Sequence, residues 1–134
     1  MVDLTNDFRR SEARGRLKPD GRLDAAARQL AQVMAATGRF AHDADGKRPW
    51  DRARDQGYSW CLVGENIAYR YMSRHFLAHE LAEDFVKGWK DSAGHRKNMV
   101  DDSMVHIGVA VARSPATGGY YAVQVFGRPS GKGC

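Results

Sequence analysis

Residues 105–112 read Val-His-Ile-Gly-Val-Ala-Val-Ala. Val105, Ile107, Val109 and Val111 alternate with His106, Gly108, Ala110 and Ala112. That is the period of a strand with one large-residue face and one small-residue face. Ala116-Thr117-Gly118-Gly119 supplies a turn, and Tyr120 to Phe126 reads as a second strand. The two strands form an antiparallel hairpin.

Upstream of this hairpin the period is helical. Leu4 and Phe8 lie one turn apart and predict a short helix ending near Gly15. Asp20 reads as an N-cap for a helix carrying Leu23, Ala27, Leu30 and Met34 on one face, with Gly38 as its stop. Arg48-Pro49-Trp50 opens a third helix, which Gly57 ends. Cys61 to Tyr69 is an apolar run broken by Gly64-Glu65-Asn66. Ser73 is expected to cap a long amphipathic helix with Leu77, Leu81, Phe85 and Trp89 in one stripe. Ser92-Ala93-Gly94 breaks it, and a short helix carries His95 to Met99. Helices first and strands last predict an α+β domain: a small antiparallel sheet with helices packed on it.

A chain of 134 residues fits one domain and can bury a core without a metal or a crosslink. Lys and Arg number 21 against 16 Asp and Glu, so the net charge of +5 favours acidic partners weakly. The basic residues are scattered among acids, with no basic stripe interleaved with aromatics, which argues against nucleic acid as a partner. No apolar run is long enough to span a membrane. Cys61 and Cys134 make no CxxC. In an oxidising compartment they can pair, which on the chain-entropy model contributes about 4 kcal/mol. In a reducing compartment they stay thiols, and both states are open at this point.

Five histidines carry the candidate chemistry. His75 and His79 are spaced i, i+4, a helical zinc spacing, but they point away from the Leu77–Leu81–Phe85 stripe and read as a solvated face with Glu83. His106 sits among small residues on a strand and reads as a packed histidine. His42 and His95 stand at element ends beside Ala41 and Gly94, where function concentrates. Gly64 permits close backbone approach or positive φ next to Glu65. A carboxylate beside two imidazoles orients a ring or raises its basicity, and two neutral imidazoles suit Zn²⁺.

At these residues the chain resembles the CAP superfamily of cysteine-rich secretory, antigen 5 and pathogenesis-related group 1 proteins. Three blocks carry the likeness: Arg39-Phe40-Ala41-His42, Gly64-Glu65-Asn66-Ile67-Ala68, and Trp89 through Ser92-Ala93-Gly94-His95-Arg96-Lys97-Asn98. Supporting pieces are His106 to Ala110 and Tyr120 to Pro129. The resemblance implies one SCP domain over 1–134, with its core at about 4–129. It also implies a three-layer α-β-α sandwich with an open cavity lined by two His and two acids. By position His42 and His95 are the imidazoles and Glu65 the first acid, with Asn66 and Ser92 beside them in the cleft. The second acid falls at Ser92, and the adjacent Asp91 projects differently, so this chain matches the lean bacterial members.

Members of that family are mostly exported, and several bind sterols, lipids or divalent metal. The resemblance thus implies a secreted, periplasmic or cell-envelope protein whose signal segment is absent here. The Met1-Val2-Asp3 start keeps a cytoplasmic location open. The favoured expectation is a monomeric, non-enzymatic binding module. Its cleft would hold Zn²⁺ or another divalent cation on His42 and His95, a small or lipid-like ligand, or both. One alternative is a zinc-dependent, protease-like hydrolase with Glu65 as general base, since no serine or cysteine nucleophile motif is present. The other is an interaction or defence protein with a vestigial cleft.

Overall fold

The structure is a computed structural model that describes residues 1–71, 77–131 and 133–134. Its elements run α1 (Val2–Ser11), β1 (Lys18–Pro19), α2 (Gly21–Thr37), α3 (Pro49–Asp55), β2 (Trp60–Arg70), α4 (Ala78–Lys90), α5 (Ala93–Met99), β3 (His106–Arg113) and β4 (Tyr120–Pro129). The sheet order is β1-β3-β4-β2. Helices cover both faces, which makes the α-β-α sandwich.

The small face of β3 decides how α2 lies on it. Ala110, Ala112, Val123 and Val125 pack against Leu23, Ala27, Leu30 and Met34. At Gly108 a methyl group would overlap the backbone of Leu23 and Asp24. The Asp24 carboxylate accepts a hydrogen bond from Val109 N at 2.9 Å, tying helix to strand. The expected caps of α2 are present. Asp20 accepts from Arg22 N, and Gly38 ends the helix at φ +74°. Leu23, Leu30 and Met34 are fully buried, each contributing roughly 1.5–3 kcal/mol over exposure.

The opposite face of the sheet packs Ile107, Ala122 and Phe126 against Phe85, Val86 and Trp89 of α4. This layer is also stitched by buried amides. Gln124 donates from Nε2 to Thr5 Oγ1 of α1 at 2.7 Å, and Asn66 donates from Nδ2 to Gln124 Oε1 at 3.0 Å and to the His95 carbonyl at 3.1 Å. Asn98 of α5 donates to Asn66 Oδ1 at 2.9 Å. Arg9, also buried, donates to the Met99 and Asp101 carbonyls, which anchors the far end of α5 to α1.

Several expectations need correction. The sheet is mixed rather than purely antiparallel, because Lys18 and Pro19 pair in parallel with His106 and Ile107. Two residues leave no period to read, and proline is tolerated at that edge because it needs no inward donor. The run read as broken at Gly64-Glu65-Asn66 is one continuous strand, β2, since Glu65 and Asn66 are each buried with partners on opposite faces. Gly64 needs neither positive φ nor unusual closeness; a methyl there would meet Met104 and Asn98 at ordinary contact distances. The first helix stops at Ser11 rather than near Gly15. Leu77 stands at the N-cap of α4 and is 60% exposed, outside the buried stripe of Leu81, Phe85 and Trp89. Ser73 lies outside the described residues.

Among the described residues β2 is an edge strand, with one backbone side facing no other strand. Three successive carbonyls of that side, from Glu65, Ile67 and Tyr69, are taken by side-chain donors. Asn98 Nδ2 reaches Glu65 O at 3.3 Å, Trp89 Nε1 reaches Ile67 O at 3.1 Å, and Arg70 Nη1 reaches Tyr69 O at 2.9 Å. Cys134 and Cys61 are joined by a disulfide, with Cα atoms 5.6 Å apart, so the choice left open by the sequence resolves to pairing.

Candidate functional site

The site gathers at the outer edge of β2, where the two helical layers meet. Glu65 turns toward the α2–α3 side and Asn66 toward the α5 side, by strand alternation. His42 arrives from the loop after α2, and its Nδ1 lies 2.8 Å from Glu65 Oε1. Glu65 is also held by Arg52 of α3, whose Nη2 reaches Oε1 at 3.1 Å and Oε2 at 2.8 Å. Arg52 is fully buried, with Nη1 on Asp45 Oδ1 at 2.7 Å and on the Lys47 carbonyl at 3.0 Å. A buried charge persists when paired and hydrogen-bonded, and this guanidinium has two carboxylates. Arg52 escaped the sequence reading. Nothing in Pro49-Trp50-Asp51-Arg52-Ala53-Arg54 separates the buried Arg52 from the exposed Arg54, since both flank the buried Ala53.

His95 comes from the other layer, in the first turns of α5. Its Nδ1 meets Ser92 Oγ at 2.9 Å, so the N-cap serine spends its hydroxyl on the imidazole rather than on the helix end. Burial lowers the His95 pKa below the usual histidine value, and the electrostatic influence of the nearby His42 lowers it further. The ring is therefore neutral near pH 7. Both imidazoles thus have Nδ1 engaged by an oxygen, and among the described residues no hydrogen bond is made by either Nε2.

A cleft of about 540 Å³ adjoins this group. Four consecutive residues of β2, Ile67 to Arg70, line it together with His95 and Ser92. Phe40, Tyr121 and Tyr69 form an aromatic wall, with ring centroids 6.4 Å apart for Phe40–Tyr121 and 4.8 Å for Tyr69–Tyr121.

The sequence-derived residues divide as follows. Glu65 meets His42, and Ser92 meets His95. His95 lines the cleft, while His42 is half exposed and is not among the residues lining it. Asn66 is fully buried and does not line the cleft; its amide clamps the His95 backbone instead. Asp91 pairs with Lys87 at 2.7 Å on the surface. His106 is far along β3, paired with Gly127, with its Nδ1 2.8 Å from the Tyr58 hydroxyl. Burial pushes the Tyr58 pKa up to about 12, so that hydroxyl keeps its proton. His79 and Glu83 are exposed on α4, and His75 lies outside the described residues.

Fold and site together define a small sandwich domain with a histidine-flanked cleft over a sheet edge. Solved structures share it. An extracellular protein containing a SCP domain from Bacillus anthracis str. Ames superposes at TM-score 0.80 with 27% identity, over 95% of this chain and 38% of that one. An outer surface protein from Borrelia burgdorferi shares the fold at TM-score 0.82 with 18% identity, over 96% of this chain and 90% of that one. The YkwD protein of Bacillus subtilis (strain 168) is 32% identical over 129 residues, which is 96% of this chain and 46% of YkwD. This chain spans less than half the length of the curated relatives it matches. The model of the cysteine-rich secretory protein family, CAP, matches residues 2–126, and the chain belongs to that family. Among the described residues no helix is long and apolar enough to cross a membrane.

Proposed function

We propose that this domain is an exported, non-enzymatic binding module whose cleft holds a small, largely apolar ligand beside a divalent cation carried by His42 and His95. The observation behind this reading is that each imidazole has its Nδ1 fixed by an oxygen. A ring held that way directs its Nε2 as a metal ligand, and the hydrogen bond to a carboxylate raises its basicity.

Among the described residues no three His, Cys, Asp or Glu side chains are grouped to grip a metal. The fit is therefore to two imidazoles plus water. Such a site is weaker than one with three protein ligands, and it is one that a ligand donor can complete. A bound Zn²⁺ would supply Lewis acidity at that point.

Glu65 orients His42 and neutralises Arg52. With both oxygens on Arg52 and one also on His42, it has little capacity left to take a proton from water. This disfavours the hydrolase reading. The aromatic wall and the size of the cleft, about 540 Å³, disfavour a purely vestigial role. Export is supported by the extracellular and outer-surface structures that share the fold, and by the Cys61–Cys134 pairing, which suits oxidising compartments.

Calorimetric titration of metal-stripped protein with ZnCl₂ tests the metal site. One saturable site is expected at neutral pH, weakening as the imidazoles protonate toward acid, and lost in a His42→Ala/His95→Ala variant. Wild type that gives only the heat of the double variant would overturn the metal reading.

A further inference from the structure

The cleft runs along a strand edge, and that edge is chemically one-sided. Side chains of a strand alternate between faces, so four successive residues can line one cavity only if the cavity lies against the strand's backbone edge. Ile67, Ala68, Tyr69 and Arg70 all line the cleft.

The register shows which backbone groups face it. Ser114 N donates to Gly119 O at 2.7 Å, so Gly119, Tyr121 and Val123 of the β4 side turn toward β3. The intervening Tyr120, Ala122 and Gln124 turn toward β2, where their partners are Arg70, Ala68 and Asn66. Glu65, Ile67 and Tyr69 therefore point their N–H and C=O groups outward. The three carbonyls are consumed by Asn98, Trp89 and Arg70. The N–H groups of Ile67 and Tyr69 meet no acceptor among the described residues.

Arg70 adds to this. It donates from Nε to Asp84 at 2.6 Å and from Nη1 to Tyr69 O, and its Nη2 lies against Gly88 at the cleft wall. An edge of this kind cannot accept an added peptide strand well, because strand addition needs alternating donors and acceptors and the acceptors are already taken. It suits a ligand whose polar groups only accept.

We infer that the cleft selects a flat apolar acid: an aryl carboxylate whose oxygens meet the Tyr69 N–H beside Arg70, with the ring along Phe40 and Tyr121. The Ile67 N–H, two residues and thus about 6.8 Å along the strand, takes a second acceptor where the ligand has one. This deepens the binding-module reading and rests on it, but needs no metal.

The test uses ¹⁵N-labelled, metal-free protein titrated with 2-naphthoate and, separately, with 2-naphthylmethylammonium. The two probes share a ring and differ in offering acceptors or donors. About 0.5 M NaCl shortens the Debye length to a few ångströms and screens the net charge. Naphthoate is expected to bind at least about tenfold more tightly, as charge-assisted hydrogen bonds imply, and to move the Tyr69 amide proton downfield. Equal binding of both probes, or naphthoate binding that moves ring signals of Phe40 and Tyr121 but not the Tyr69 amide, overturns the acceptor rule and leaves an apolar cleft. Binding of neither probe overturns it too, and the metal reading is then judged separately by the zinc titration. Hydrogen exchange in the free protein gives an independent check. The Tyr69 amide should exchange faster than that of Ala68, which is bonded to β4, and equal protection would show that its N–H already has a protein acceptor.

Discussion

The two faces of the sheet are closed by different chemistry. On the α2 side, small residues let a helix settle directly on β3 and β4 through an almost wholly apolar contact, and the buried Arg52–Glu65 pair lies apart from it, against α3. On the α1–α4–α5 side, the chain of amides from Thr5 through Gln124 and Asn66 to Asn98 runs through the middle of the packing. The first face fixes how the molecule is assembled. The second fixes where His95 stands, because Asn66 holds its carbonyl. Apolar closure tolerates a range of shapes at modest cost, whereas a buried amide network works only when each member is satisfied.

The comparison can be broken most forcefully at Gly108. Gly108→Ala forces α2 away from β3 and is expected to cost about 3 kcal/mol, at the upper end of overpacking effects. Denaturant unfolding would measure it. A cost below about 1 kcal/mol would mean that the helix moves freely and that the small-residue face is not a fixed seat.

The amide side should respond differently. Asn66→Ala leaves Gln124 Oε1, the His95 carbonyl and Asn98 Nδ2 short of partners, at about 2 kcal/mol. Its separate mark is on the site, where zinc affinity should fall roughly tenfold, as for other supporting residues around metal ligands. Equal stability loss with unchanged zinc affinity would reduce Asn66 to packing alone.

The smallest effect sharpens the comparison through pH. Because the folded His95 pKa lies below its unfolded value, the unfolded chain binds more protons between the two values. Stability is then full above the unfolded pKa, near 6.5, and is lost as pH falls from there toward the folded pKa. Unfolding free energies from urea titrations taken from about pH 7.5 down through the acid side should decline slightly, and His95→Gln should flatten that part of the curve. An unchanged slope in the variant would place the acid sensitivity elsewhere.

Legibility in the sequence follows the same division. The α2 face was readable because apolar periodicity, Asp20 and Gly38 are local signals, and the hairpin because its alternation runs uninterrupted. The resemblance named the right family and drew attention to His42 and His95. Glu65 and Asn66, on opposite faces, were opaque, since they look like a break in an apolar run until their partners come from other elements. Arg52 could not be picked from a row of arginines, because its partners Glu65 and Asp45 lie in other parts of the chain. Lys18-Pro19 is too short to carry a period. The resemblance put Asn66 in the cleft beside Glu65, but strand alternation sends it into the interior.

The bond between Cys61 and Cys134 encloses a loop with a sequence separation of 73. Glu65 and His95 sit inside this covalent ring, while His42 and Arg52 sit on the open strand before it. A pull applied at Met1 and Cys134 can therefore lengthen only the first sixty-odd residues, to about 200 Å at full stretch, and the ring transmits load at its knot without uncoiling. Under tension the first sixty-odd residues, α1 to α3, would come away with His42 and Arg52, while β2, α4, α5 and the hairpin stay within the ring. Reduction of the bond would roughly double the extensible length and put His95 under load as well.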